Sequence, residues 1–385
     1  MSELAEVLRA IESLSTRGER MALATIVAVK GSTYRRPGAR LLVPETGSMV
    51  GNISGGCLEG EVKEAAREVM ESGTPHLLSF DLTADDEAVW GWGLGCNGVI
   101  DVFVEPADRA ADVARALRRA LEEDRPIAHV TVLESGIDAV RPGNHMIVHP
   151  DGGRDGTLGS TDADDLAFAH EAEHAIQDGL SQIVVIESKE GDVRAFVEVL
   201  EPPPRVLVCG AGHDAIPLVR HAASLGWRVT VADDREAFLT PERFPEASDF
   251  VLTEPASVAE AARADRRTHA VVMTHNFLRD LGYLRSLLGT DVAYIGMLGP
   301  RPRLERLLEN LAREGIQPTD QDLTKMHGPA GLDVGAEGPE EIAAAIVAEI
   351  MAVRRERKGG FLREREGPIH EQRQASLTLM SEDDS

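Results

Sequence analysis

The sequence predicts an α/β protein: an N-terminal mixed α+β domain followed by a C-terminal Rossmann-like doubly wound parallel sheet. Three observations point there. Residues 205–234, RVLVCGAGHDAIPLVRHAASLGWRVTVADD, read as strand, glycine turn, helix and strand. Strand and helix patterns keep alternating beyond them, the arrangement that builds parallel sheets. The run Glu201-Pro202-Pro203-Pro204 cuts this half from a first half that opens with a small β-meander. Proline has no donor for a sheet and stiffens the chain into an extended linker. The predicted domains are residues 1–200 and 205–358, with 201–204 as linker and 359–385 as a polar tail expected to be disordered.

In the 205–234 unit, Val206 to Cys209 form the continuous apolar run of a strand buried on both faces. Gly210 permits the tight turn, Gly212 lets a pyrophosphate approach the backbone, and Ala215 takes the third small position, where helix and strand pack closely. Ile216, Leu218, Val219, Ala222, Ala223 and Leu225 make an apolar helical face that Gly226 stops. Asp233 ends the second strand, where a carboxylate can bind the ribose hydroxyls of an adenosine. A lone GxGxx(G/A) match is weak, but here a strand, a helix and a suitably spaced acid surround it. The acid favours a free ribose; Arg235, two residues on, could instead accept a 2′-phosphate, so NAD and NADP both stay open. The plain alternative is a structural turn.

The chain has 385 residues, enough for two or three domains. Its formal net charge of −25 excludes non-specific nucleic-acid binding, which needs clustered Lys and Arg, and docking to anionic lipid. The three cysteines, Cys57, Cys96 and Cys209, are too few and odd in number for a disulfide framework, which fits a reducing compartment. No basic segment with an apolar core marks the N-terminus, and no apolar run nears the ~18 residues of a membrane span. The expected location is the cytoplasm.

Taken in order, residues 2–16 place Leu4, Val7, Leu8, Ile11 and Leu14 at helical spacing. Strands follow at 21–29, 39–43 and 49–53, with the cationic loop KGSTYRRPG between the first two carrying Lys30, Arg35 and Arg36. Gly55 and Gly56 strip side chains from the chain just before Cys57, and residues 58–70 read as a helix. Cys57 therefore sits near a helix N-terminus, where the dipole favours a thiolate while Glu59 and Glu61 oppose it. After a strand at 76–80 and an acidic loop, Trp90–Gly98 forms a second glycine-rich loop holding Cys96, and a strand leaves it at 99–104. Two thiols among glycines suit either chemistry or small buried turn residues.

A helix at 107–123, strands at 127–133 and 145–149, a helix at 162–178 and strands at 183–187 and 193–200 complete the first half. His170-Glu-Ala-Glu-His174 superficially suggests a zinc pattern, but it lies on an acidic surface helix with no evident third ligand, so a solvated face is the better reading and no metal site is predicted. Beyond Asp234 come strands at 250–252, 270–274 and 291–295 and helices at 256–263, 278–288, 304–314 and 342–353. His275-Asn276 lies at a C-terminal strand end, where such sheets meet ligands, and Arg301 and Arg303 near a helix start could hold an anion or simply pair with Glu305.

GNISGGCLEGEV, GLGCNGVIDVFVEP and GLDVGAEGPEEIAAAIVAEIMAVR, with KGSTYRRPGARLLV, resemble the XdhC/CoxI family over roughly residues 1–357. Two places depart from its usual pattern: Cys96-Asn97-Gly98 stands for CGG, and Gly299-Pro300-Arg301 lacks the usual Ser. The resemblance implies an accessory protein for molybdenum hydroxylases of the xanthine dehydrogenase type. Such proteins bind molybdenum cofactor (molybdopterin), promote its sulfuration with a cysteine desulfurase, and hand it to the apoenzyme. Cys57 and Cys96 would then face the cofactor or pass sulfur. Lys30, Arg35, Arg36, Gly55 and Gly56 supply cations and open backbone, and Gly210, Gly212, Asp233, His275 and Arg301 bind a nucleotide or the pterin phosphate. A homodimer is one arrangement the sequence allows. The alternative is an NAD(P)-dependent oxidoreductase with His275 or His327 as proton donor. A further alternative is an interaction protein with a vestigial dinucleotide fold.

Overall fold

The computed structural model describes residues 3–82, 97–107, 110–122, 124–159, 162–188 and 191–366. Apart from its ends, the chain forms two compact units, Ser2–Pro202 and Pro203–Glu364. Among the described residues no helix is long and apolar enough to cross a membrane.

The first unit is built on two antiparallel sheets. Helix α1 (Glu3–Thr16) buries Val7, Leu8, Ile11 and Leu14, the stripe that its three- and four-residue spacing dictates. Strands β1 (Met21–Ser32), β2 (Arg40–Pro44) and β3 (Val50–Gly51) follow, then α2 (Glu59–Ser72), β4 (His76–Asp81) and β5 (Asn97–Pro106). They pair in the order β3-β2-β1-β5-β4. After α3 (Ala110–Glu122) come β6 (Ile127–Ser135), β7 (His145–Val148), β8 (Arg154–Gly156), α4 (Asp162–Asp178), β9 (Gln182–Ser188) and β10 (Gly191–Leu200). Their order is β8-β7-β6-β10-β9. The expected strand at 49–53 shrinks to two residues, and β8 arises in a Gly/Asp-rich stretch whose side chains are all exposed, so no alternation marks it.

Alternation in β6 explains the layering. Ala128, Val130 and Val132 pack against Phe168, Ala169 and Ala172 of α4. Leu133 points the other way and joins Phe196, Val27 and Phe103, which ties the second sheet to the first. Residues of α2 cover the opposite face of the first sheet, and α1 and α3 fill the side where Leu42, Ile147 and Leu200 meet.

A buried polar seam crosses the contact between the sheets. Arg40, on β2, donates to both carboxylate oxygens of Glu198, on β10, and to the Gly38 carbonyl at 2.9 Å. The two side chains are 6% and 5% exposed. His129 Nδ1 is 3.9 Å from Glu198, His129 Nε2 is 3.0 Å from His145 Nδ1, and His145 Nε2 is 2.8 Å from Glu105. Burial works against ionising Glu198, yet the Arg40 charge, the nearby His129 and the hydrogen bonds from Arg40 hold its carboxyl down at about 2. Burial pushes the His129 imidazole below its ordinary value.

The second unit alternates strand and helix: β11 (Arg205–Cys209), α5 (Ala215–Ser224), β12 (Arg228–Asp233), β13 (Asp249–Leu252), α6 (Val258–Ala261), β14 (Thr268–Val272), α7 (Phe277–Leu287), β15 (Tyr294–Met297), α8 (Arg301–Arg313), α9 (Asp320–Lys325), β16 (Met326–His327) and α10 (Pro339–Arg354). The sheet is parallel throughout, ordered β13-β12-β11-β14-β15-β16. This is the Rossmann order, doubly wound about β11 and β14. The helix expected at 256–263 is a 3-10 turn, Pro255–Ser257, followed by the single turn of α6. The short α9 and β16 were not expected; a capping box between Thr319 and Asp322 starts α9, which carries no apolar stripe.

The seam makes a pH-dependent contribution whose sign is fixed. Glu198 is held below its ordinary value of 4.5, so its share of stability is present above 4.5 and lost as pH falls toward about 2. His129, also lowered, adds a loss that begins as pH falls below its ordinary 6.5. Glu198→Gln strands the Arg40 charge and should cost the first unit about 3–5 kcal/mol in urea unfolding, whereas Arg40→Met with Glu198→Leu should cost far less. The acid-dependent loss between 4.5 and 2 should be smaller in both variants.

Candidate functional site at the switch point and the cysteine turn

The sheet reverses its winding between β11 and β14, so the chain leaves their C-terminal ends in opposite directions and opens a crevice there. Gly210 follows β11 at φ +113°, and a Cβ placed on it would lie 2.9 Å from Thr274 Cγ2 and 3.2 Å from the Thr274 backbone. Only glycine lets these two strand exits touch. A Cβ on Gly212 would meet nothing within 4 Å, so approach to that backbone is open. Asp214, the residue before α5, faces His275 Nε2 at 2.8 Å. Its carboxylate stands at the start of α5, the end of a helix that otherwise favours an anion. His275 itself takes φ +57°, a left-handed conformation uncommon outside glycine.

Asp280 fixes the β14 exit. Buried to 1%, it accepts from Thr274 Oγ1 at 2.5 Å and from Arg303 Nε and Nη2 at 3.1 and 2.6 Å. Arg303 is thus engaged by the buried Asp280, while Arg301, 79% exposed, lies 3.1 Å from Glu305 in a surface pair. Cys209 is a packing residue: burial, then the neighbouring Asp280 charge, push its thiol well above the usual range.

At the β12 end the expected ribose carboxylate is already engaged. Asp233, 1% exposed, accepts from the Ala211 N–H at 2.7 Å, the Arg235 N–H at 3.0 Å, and Arg235 Nε and Nη2 at 2.8 Å each. Burial opposes its charge, but the Arg235 fork and the two N–H groups bring the carboxyl to about 2. A carboxylate has about four acceptor positions, and all four are used. A ribose diol would have to displace Arg235 from it. Arg243 Nη2 donates to the Ala211 carbonyl at 3.1 Å, and Arg279 holds Asp234 at 3.1 Å.

The loop after β16 is anchored by one side chain. Glu349, on α10, accepts from Tyr294 Oη at 2.5 Å and from the Gly331 N–H at 2.8 Å, and lies 3.2 Å from His327 Nδ1. Tyr294 and His327 stack with centroids 4.6 Å apart. Burial disfavours the Glu349 charge, but the bonds from His327, Tyr294 and Gly331 hold its carboxyl below the ordinary range. His327 is therefore occupied in holding this loop.

In the first unit, Ser54 organises the cysteine turn. Its Oγ accepts from the Gly56 and Leu58 N–H groups, each at 3.1 Å, and it bonds the Glu59 carboxylate, which also accepts from the Ser54 N–H at 3.0 Å. Glu59 thus closes the start of α2, and Cys57 sits half-buried on the turn. Gly55 and Gly56 are exposed, and Gly56 takes φ +109°. Arg35 donates to the Asn52 carbonyl at 3.1 Å and pairs with Glu3, tying the cationic loop to this turn. Lys30 is exposed on β1, and Arg36 accepts from the Ala39 N–H at 3.0 Å through its carbonyl. Cys96 and most of its glycine loop lie outside the described residues. On α4, the His170 and His174 rings lie 4.2 Å apart, with Glu171 close enough that one ligand atom from each falls within 4.8 Å of the others. Both histidines are exposed, and among the described residues no further ligand joins them.

Sequence reasoning missed Asp280, Glu349, Arg243 and the Arg40–Glu198 seam. Charged residues inside strongly apolar strands, such as Glu198 in VEVL, were the available signal.

Comparison with known proteins gives two family matches. The XdhC Rossmann domain profile covers residues 206–350, and the XdhC and CoxI family profile covers residues 14–81 and 120–187. A probable xanthine dehydrogenase subunit of Bacillus subtilis (strain 168) is 30% identical over 347 residues, covering 90% of this chain and 96% of that protein. The molybdenum cofactor insertion chaperone PaoD of Escherichia coli (strain K12) is 22% identical over 346 residues, 90% of this chain and 86% of that one. The crystal structure of a xanthine dehydrogenase from Bacillus halodurans superposes with a TM-score of 0.72 at 30% identity, covering 93% of this chain and 97% of that one.

The two crevice glycines separate strain from contact. Gly210→Val should destabilise the second unit by about 1–3 kcal/mol, because it combines a disfavoured φ with a clash against Thr274. Gly212→Ala should leave urea unfolding within about 0.5 kcal/mol of wild type. Lower affinity of that variant for an adenine dinucleotide, read by titration calorimetry, would then report ligand contact at the turn.

Proposed function

Because the chain belongs to the XdhC and CoxI family, we propose that it is an accessory protein in the maturation of a xanthine dehydrogenase-type molybdenum hydroxylase. Its cargo is molybdenum cofactor, which it holds while a cysteine desulfurase supplies sulfur, and which it then delivers to the apoenzyme. The observation that carries this reading is the likeness, over 90% of the chain, to the Bacillus subtilis protein named as a xanthine dehydrogenase subunit. The PaoD likeness, over the same share, supports the cargo. The expected setting is the cytoplasm, where sparse cysteines stay reduced.

The chemistry of the first unit agrees with such a cargo. Molybdenum bound through sulfur suits a soft donor, and Cys57 offers one on a turn that is neither sealed nor fully exposed. Exposed backbone at Gly55 and Gly56 and the cationic loop of Lys30, Arg35 and Arg36 suit the anionic part of the ligand, for which Arg35 would exchange its pairing with Glu3. Ser54 and Glu59 keep the turn in one conformation, so the thiol is presented without a large ordering cost on binding. Cys96 is assigned the companion thiol. No role in chemistry is assigned to His275 or His327, which lie against Asp214 and Glu349.

The test is to purify the chain from cells that make molybdenum cofactor, measure cofactor per protein, and score activation of the apoenzyme. Cys57→Ala and Cys96→Ala should each lower retention severalfold and slow activation. Equal retention and equal activation in both variants would remove the cysteines from the mechanism. Substrate-dependent NADH oxidation by the chain alone, without a partner, would favour the oxidoreductase reading instead.

A further inference from the structure

Building on that reading, we propose that the crevice of the second unit selects a nucleotide whose ribose carries a 2′-phosphate, bound by Arg235 and Arg243, over one with a free ribose diol. The argument begins at Asp233. In a Rossmann crevice a carboxylate here accepts both ribose hydroxyls. In this chain its acceptor positions are filled by the Ala211 and Arg235 N–H groups and by two guanidinium nitrogens of Arg235. A diol would have to break charge-assisted bonds to a buried carboxylate, which are among the stronger hydrogen bonds a protein makes.

An anion meets a different surface. The bonds from Arg235 to Asp233 use Nε and Nη2, so that carboxylate does not engage Nη1 of a side chain that is 32% exposed. The Phe238 ring holds Arg235 at 3.9 Å from its centroid and Arg243 at 5.0 Å, so two guanidinium groups share one aromatic plate. Arg243 also donates to the Ala211 carbonyl, which places the pair at the glycine turn. Two buried polar atoms at this end of the sheet lack a hydrogen-bond partner among the described residues: Arg243 Nε, a cationic donor, and Asp234 Oδ1, an acceptor that lies 4.0 Å from Arg235 Nε. One donor and one acceptor match a phosphate beside a single hydroxyl, the pattern of a 2′-phosphate with its neighbouring 3′-OH. A free diol can also meet one donor and one acceptor, but it brings no anionic charge to the two guanidinium groups. The other oxygen of Asp234 is held by Arg279, so that charge is already countered.

The test uses the full chain and titration calorimetry with NADP⁺ and NAD⁺. NADP⁺ should bind at least tenfold more tightly. Arg235→Gln and Arg243→Gln should each shrink that ratio severalfold, chiefly by weakening NADP⁺, and Arg235→Lys should fall between, since it keeps the charge and loses the fork. Arg235→Gln also strands the buried Asp233 charge and should lower the urea midpoint, so Arg243→Gln and Arg235→Lys, with midpoints near wild type, carry the comparison. NAD⁺ binding as tightly as NADP⁺, no binding of either, or a ratio unmoved in both glutamine variants would overturn the proposal. Cofactor retention and apoenzyme activation, measured on the same preparations, keep the two readings apart. Loss of the nucleotide preference with intact cofactor loading sinks only this inference. Loading that fails while the preference stands sinks only the accessory role.

Discussion

A guanidinium and a carboxylate shut away from water fix how the two N-terminal sheets meet. Arg40 and Glu198 come from strands 158 residues apart in sequence, and neither charge is tolerable inside without the other. The apolar contacts around them, Val27, Phe103, Leu133 and Phe196, would tolerate small slides of one sheet over the other. The fork geometry of Arg40 on Glu198, extended through His129 and His145 to Glu105, would not. The seam therefore sets register as well as stability, and the Cys57 turn sits on a scaffold whose sheets have one arrangement.

The second unit uses the same device at smaller scale. Asp233, Asp280 and Glu349 are each a buried or half-buried acid that gathers donors from separate elements. Asp233 joins the glycine turn to the segment after β12. Asp280 joins the β14 exit to the first turn of α8. Glu349 joins β15, the loop after β16 and α10. Asp233 and Asp280 thus brace the strand ends beside the crevice, while Gly212 leaves its turn open.

The elements that sequence made legible were those with long periodic signals. The β11 run, the turn at Gly210 and the α5 stripe could be read from spacing alone, because an apolar strand, a forced turn and a helix face each leave a local pattern. Residues 256–263 misled because four alanines resemble a helix, while Pro255 and the packing of α7 leave room for only one turn. The α9 helix and β8 are too short and polar to leave a pattern. At the site, the position of Asp233 could be found from its spacing, but its occupation by Arg235 could not. That depends on a side chain folding back across two residues and resting on Phe238. Arg40 and Glu198 were invisible for the opposite reason, since nothing local links residues so far apart.

The Glu349 hub constrains how this chain can drift over evolutionary time. Tyr294 Oη and the Gly331 N–H both converge on Glu349 Oε2, and His327 lies against its other oxygen. A lineage that lost the acid would strand a tyrosine hydroxyl in the interior and loosen the backbone of a glycine loop in the same step. The cheapest escape is replacement of the tyrosine by phenylalanine, with the histidine then released from its constraint. These three positions should therefore be inherited as a set, changing together or staying put.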